Sequence, residues 1–328
     1  MPGRAVSPIA SFLVVEPILP AREEPRARRP LLGYAMVLSA ATLFAANGTV
    51  SKVILASGLS SLRLTQVRST GALAGLVIGL ALASPRSLRV RRAELPLLAV
   101  FGIGGLALVQ WFYFVAIHRL EIGIALLIQY LAPLLVALWT RFVLHDRVRR
   151  RIWVALALAL SGLTLVVQIW RGVELNGVGV AAALGGACSL ALYILLAERA
   201  VATRDPISLS AFGFLFAAIF WAIIQPWWSF PSGVVARRVS LLGHLGGLHV
   251  PVWALMAWMI VLGTIVPFGL IVAALRHIPA TRAGIAAMLE PPASALVAFV
   301  WLGESLGAFQ LAGGAIVLAG ILLAQSSR

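Results

Sequence analysis

Along this chain, apolar residues come in long continuous runs separated by short polar gaps, with neither strict alternation nor a single amphipathic stripe. Each run is about the 20 residues a helix needs to cross a hydrocarbon core, and no alternating pattern of a membrane barrel is present. Only helices or closed barrels satisfy their own backbone polar groups in lipid, so the runs predict helices. The expected spans are 32–54, 62–84, 95–117, 122–144, 152–170, 177–198, 206–228, 252–275, 282–302 and 308–325. The predicted class is an all-α polytopic membrane protein with ten transmembrane helices, which would put both termini on one side.

Composition agrees with this picture. Of 328 residues, 61% are hydrophobic and 11% charged, against about 25% charged in an ordinary soluble domain. Residues 1–30 differ: Pro2, Pro8, Pro17, Pro20, Pro25 and Pro30 alternate with Arg4, Arg22, Arg26, Arg28 and Arg29, predicting a disordered cytoplasmic tail. Its apolar stretch from Ile9 to Leu19 mimics a signal peptide, but Glu16 and Pro17 interrupt it and no small-residue cleavage site follows.

The net charge of +15 lies between the spans and not on one face with aromatics, so it reads as topology and not as nucleic-acid binding. Arg86, Arg89, Arg91 and Arg92 follow the second span, and Arg147, Arg149, Arg150 and Arg151 follow the fourth. Both runs fall on the side of the Arg-rich tail, which the positive-inside rule makes cytoplasmic. The opposite loops of the first half hold only Arg63, Arg119 and Arg171, although Arg237 and Arg238 weaken the bias in the long 229–251 loop. The expected location is a bacterial cell membrane.

An internal repeat adds to the span count. An offset of 158 superimposes Gly105 on Gly263, Leu131 on Leu289, Pro133 on Pro291, Asp146 on Glu304 and Gly162 on Gly320. A second offset of 146 carries Gly33 onto Gly179 and Leu38 onto Leu184 in the spans that open each half. Each half, 31–171 and 172–328, holds five spans, an odd number, so equivalent spans run in opposite directions. That is the inverted-repeat plan of many secondary transporters.

The residues also resemble a known family. Leu289-Glu290-Pro291-Pro292, then Trp301-Leu302-Gly303-Glu304, then Gln310 and the glycines from Gly313 to Gly320 are similar to the closing signature of EamA-type members of the drug/metabolite transporter superfamily. The first half repeats it more loosely as Leu131-Ala132-Pro133, Asp146 and Gly162, and Arg68 resembles an arginine found early in that family's second span. His145-Asp146 departs from the Gly-Glu common at that place. The resemblance implies a central cavity between the halves and alternating access, with export of amino acids or other small metabolites.

Candidate chemistry follows from polar groups at membrane depth. Glu290 lies well inside the ninth span, where an ionised carboxylate costs roughly 2.5–3.5 kcal/mol on insertion scales. It is either a proton-coupling or substrate-amine site, or a carboxyl used for helix packing. Pro133, Pro291 and Pro292 each remove a helical hydrogen bond and are hinge candidates or plain kinks; Pro267 reads as a kink. Gln110, Tyr113, Gln129, Tyr130 and Asn47 should face the bundle interior, binding solute or bonding between helices. Arg68 either takes a functional role or, like Lys52 and Arg141, snorkels to headgroups. Gly71, Gly75 and Gly79 form small-xxx-small packing motifs.

No cofactor or metal site is expected: Cys188 is alone, and the five histidines lack ligand spacing. No Walker A motif offers ATP drive. The expected function is a secondary transporter, with a small-molecule solute and the lipid bilayer as partners and homo-oligomerisation left open. A non-transporting scaffold or sensor and an intramembrane enzyme are the alternatives.

Overall fold

The computed structural model describes residues 29–117, 119–120, 122–167, 170, 176–303 and 307–326. Residues 1–28 of the predicted tail, His118, Arg171 and Glu304 lie outside the described residues, while Pro30, assigned to the tail, opens the first helix. In chain order the helices are α1 (Pro30–Ala56), α2 (Ser61–Ala83), α3 (Arg92–Ala116), α4 (Ala125–Phe142), α5 (Arg150–Val167), α6 (Gly177–Ala200), α7 (Pro206–Ile224), α8 (Val252–Ala274), α9 (Ala280–Leu302) and α10 (Ala308–Ser326). Among the described residues eight of these, all but α5 and α10, are long and apolar enough to cross a membrane, while α10 has the shorter apolar core Leu311–Ala324.

Local chemistry sets where the helices begin. The Ser60 hydroxyl accepts from the Arg63 N–H at 3.3 Å to open α2, and Asn176 Oδ1 accepts from the Gly179 N–H at 3.1 Å to open α6. Asp205 accepts from the N–H groups of Ile207 and Ser208, with Pro206 at the first helical position of α7 where its missing N–H costs nothing. α7 ends at Ile224, short of the predicted 228, because Pro226 cannot extend the hydrogen-bond ladder.

Four of the long helices are irregular. α4 breaks at Tyr130–Leu131 and restarts as Ala132–Phe142 with Pro133 in its first turn; α9 breaks at Met288–Leu289 and restarts as Glu290–Val297 with Pro291 and Pro292 there. At each break the ladder tightens to an i−3 bond, Leu131 N–H to the Ile128 carbonyl at 3.1 Å and Leu289 N–H to the Ala286 carbonyl at 3.2 Å. Widened π turns occupy Val100–Ala107 of α3, Val261–Ile265 of α8 and Ala298–Leu302 of α9. Pro267 follows one of these turns and starts a fresh helical segment, Val266–Ala274.

The helices pack in complementary pairs: α5 on α10, α3 on α6, α1 on α8 and α9, α2 on α7, and α4 on both α6 and α9. The α5–α10 seam is close because glycines line it: a methyl group on Gly162 would sit 2.6 Å from the Gly313 carbonyl. Gly71 and Gly75 likewise admit Ile260 and Ile265 of α8, whereas Gly79 meets nothing.

Both ends of the bundle are tied. At one, Arg63 donates to the Pro226 carbonyl at 3.0 Å and Ser229 Oγ at 2.5 Å, joining the start of α2 to the end of α7. At the other, Arg204 pairs with Glu94, donates to the Arg89 carbonyl at 2.9 Å, and lies over the Phe212 ring. The 229–251 loop carries a two-stranded antiparallel hairpin, β1 (Arg238–Ser240) and β2 (His249–Pro251). Its tip turns at Gly243, in the left-handed region at φ +50°, and Trp301 Nε1 of α9 donates to the Leu241 carbonyl at 2.8 Å.

Candidate functional site

The broken helices bring the site together. Tyr130 stands at the break of α4, and Glu290 is the first residue after the break of α9; the phenol O–H donates to Glu290 Oε2 at 2.5 Å. Tyr130 is buried, while Glu290 and Tyr113 are half-buried. A charge-assisted bond of this length offsets part of the cost of holding a carboxylate at that depth.

Arg68, two turns into α2, supplies the opposite charge. It does not snorkel. Its Nε donates to Thr264 Oγ1 at 2.8 Å and its Nη2 to the Gly263 carbonyl at 3.1 Å, both in the π turn of α8. The Thr264 hydroxyl in turn donates five residues back, to the Met259 carbonyl at 2.8 Å. The guanidinium lies 5.8 Å from the centroid of the Phe268 ring. Phe268 makes edge contacts with Phe44, Tyr193 and Phe214, so the platform under Arg68 is held by α1, α6 and α7.

Arg68, Tyr113 and Glu290 interact electrostatically, yet no direct ion pair joins the guanidinium to the carboxylate. The Arg68 guanidinium and the Glu290 carboxyl therefore influence each other without direct contact. Asn47 of α1 packs against Gly263, where a side chain would collide with its amide, and its buried Oδ1 has no hydrogen-bond partner.

The remaining candidates divide. Gln129 turns toward α6, with Oε1 3.2 Å from where a methyl on Gly186 would sit, and that oxygen is unpartnered. Gln110 is buried in α3 with both amide atoms unpartnered. Pro133 packs against Gly284 of α9, 3.1 Å from a methyl placed there, and Pro291 is buried at the α9 restart beside Pro292. Sequence reading missed Gly263, Thr264 and Phe268, the residues that seat Arg68. The alignment of Gly105 with Gly263 was a signal for the first of them.

An apolar groove lies elsewhere. It holds about 550 Å³ between α4 and α6, with Leu135, Trp139, Leu192 and Arg199 in its walls. Its lining is almost wholly apolar and offers little to orient a polar solute, so the charged cluster, and not the larger space, is the candidate site.

The chain is similar to known proteins over most of its length. A chain from Archaeoglobus fulgidus described as an uncharacterized transporter is 28% identical over 291 residues, covering 88% of this chain and 94% of that one. The threonine/homoserine exporter RhtA of Escherichia coli K12 is 30% identical over 269 residues, 80% of each chain. One solved structure superimposes with a TM-score of 0.69 over 90% of this chain and 95% of that one, at 19% identity, a likeness of fold alone. The EamA-like transporter family matches twice, over residues 31–168 and 177–325. A bundle of apolar helices, two of them broken around an intramembrane carboxylate, is thus the body of an integral membrane transporter, and the chain belongs to the EamA-like transporter family.

Proposed function

We propose that this protein exports small zwitterionic metabolites, amino acids being the favoured class, by alternating access between two inverted five-helix halves. The observation that carries the reading is the unpaired opposition of Arg68 and Glu290. A solute ammonium would dock on Glu290 and its carboxylate on Arg68, with Tyr130, Tyr113 and Asn47 in reach of its polar groups. The exporter RhtA points to the same class. The family and the named relatives are transporters, which supports transport over catalysis.

Matched contacts support the inverted halves. The residues that Gly33 admits, His277 and Ile278, lie 158 positions after Arg119 and Leu120, which Gly179 admits. Asn47 against Gly263 answers Tyr193 against Gly105, at the offsets of 146 and 158 seen in the sequence. Gly162 against Gly313 and Val317 answers Gly320 against Ala155 and Ala159. The packing pairs also exchange among themselves when each helix is renamed by its equivalent: α1–α8 becomes α6–α3, and α5–α10 maps on itself. In this reading all ten helices cross the bilayer and both termini lie in the cytoplasm.

The rearrangement runs through the breaks before Pro133 and Pro291, where few ladder bonds resist bending. Glu290 exchanges a proton for cargo as the access changes. The deciding experiment is metabolite profiling of cells with and without the protein, followed by flux into vesicles under an imposed proton gradient. Glu290→Gln should fold normally and lose proton-driven flux; coupling unchanged in that variant would remove Glu290 from the mechanism.

A further inference from the structure

The start of α9 is held by a residue that belongs to another helix. Pro279, which precedes Ala280, has no side-chain oxygen to accept from the first N–H groups of the helix, and no side-chain cap forms there locally. Instead the Ala280 N–H donates to Oε1 of Glu198, near the end of α6, at 2.8 Å and across 82 positions of chain. Glu198 is half-buried. The connection that leads into α9 is tied on the same side: Arg276 donates to the Arg204 carbonyl at 3.1 Å and lies 3.9 Å from the Asp205 carboxylate, both between α6 and α7. Arg147 and Arg149 of the α4–α5 loop border the same place, which puts it at the arginine-rich end of the bundle.

What is held is a short lever. Ala280–Ala287 is eight residues of helix between this anchor and the Met288–Leu289 break, after which Glu290 begins the next segment. Pro133 of the α4 break rests on Gly284 in the middle of it. So short a helix is marginal by itself, and its position is set by what it touches. The anchor lies about 15 Å from Glu290, ten residues at roughly 1.5 Å each, so it is a contact separate from the solute site.

The repeat gives this contact no chemical counterpart. The offset of 146 carries Glu198 back to Lys52 in α1, and that of 158 carries Ala280 back to Ile122 at the start of the α4 span. An ammonium donates hydrogen bonds and accepts none, so Lys52 cannot take the N–H of Ile122 as Glu198 takes that of Ala280. The two mouths of an inverted repeat exchange roles as access alternates, and here one has a carboxylate at this position and the other a lysine.

We propose that Glu198 is the latch of the arginine-rich mouth: its carboxylate holds the first segment of α9 closed against α6, and loss of that bond lets the segment swing about the Met288–Leu289 break. Glu198 is thus a positioning residue that acts on Glu290 through α9 and does not touch solute. The inference rests on the alternating-access reading.

The test uses the full-length protein in a Cys188→Ser background with a single reporter, Ala283→Cys, in open membrane fragments where both faces meet a membrane-impermeant maleimide. Ala283 is buried one turn into the segment. Glu198→Ala should speed labelling about tenfold, the factor by which losing one hydrogen bond to a charged group shifts an equilibrium. Glu198→Gln keeps an acceptor oxygen and should stay near the wild-type rate. A second reporter, Ala217→Cys in the middle of α7, is as deeply buried, and its labelling should not change. Faster labelling of Ala283→Cys in both Glu198 variants supports the latch with the carboxylate charge as its grip. An unchanged rate in Glu198→Ala, or equal acceleration at the α7 reporter, overturns the proposal. Labelling needs no solute, so a latch that behaves as expected in a protein showing no flux would sink the export reading and not this one.

Discussion

Arg68 is held by geometry as much as by charge. Two of its nitrogens are committed to Thr264 and Gly263, which aims the rest of the fork. Lysine keeps the charge but loses the fork, so Arg68→Lys should raise the KM for solute roughly tenfold, at fixed expression, in vesicle flux. Tyr130→Phe deletes the bond to Glu290, and a hydrogen bond to a charged group is worth about 1.5–3 kcal/mol. Flux should fall about ten- to a hundredfold with the fold intact by circular dichroism. Gly263→Ala should displace Asn47 and unseat Arg68 together. Adding Asn47→Ala to Gly263→Ala makes room for the new methyl, so the double variant should regain part of the flux that Gly263→Ala loses. Additive losses in that cycle would mean the two residues are energetically independent.

Helix-scale behaviour turns on where the ladder is interrupted. The breaks of α4 and α9 were readable in sequence, because proline leaves an unambiguous mark on a run of apolar residues. The π turns were not readable: an extra residue per turn changes the hydrogen-bond spacing but leaves composition and apolar length as they were, and Val261–Ile265 looks like any membrane segment. For the same reason Glu290 stood out as an intramembrane carboxylate, whereas its bond to Tyr130 joins residues 160 apart and required the packing of α4 on α9. Arg68 read more readily as a snorkelling side chain, since position along a span does not say which way a long chain bends. At the α5–α10 seam the close contact of backbones makes a direct prediction. Gly162→Val and Gly320→Val should each overpack it at about 1–3 kcal/mol, lowering the thermal midpoint in detergent by similar amounts. A large drop in one and none in the other would argue against equivalent halves.

For the whole molecule, apolar runs, repeat and arginine bias were one-dimensional signals, so the membrane class and the family likeness were legible before any contact was known. The pairing of Arg204 with Glu94 and the staple from Arg63 to Ser229 were not, being formed between residues 110 and 166 positions apart. The proposed topology, with both ends of the chain in the cytoplasm, makes a simple prediction. Single cysteines placed at each terminus in a Cys188→Ser background should both resist a membrane-impermeant maleimide in intact cells and both react after lysis. Labelling of one end alone would overturn it. The hairpin at the opposite pole has a mechanical consequence. Strand β2 runs directly into α8, and the tip of the same ribbon is bonded to the last turn of α9. The ribbon thus ties α8 to α9, so that, if the proposed rearrangement about Pro291 occurs, the helix bearing Glu290 should carry with it the helix whose π turn seats Arg68.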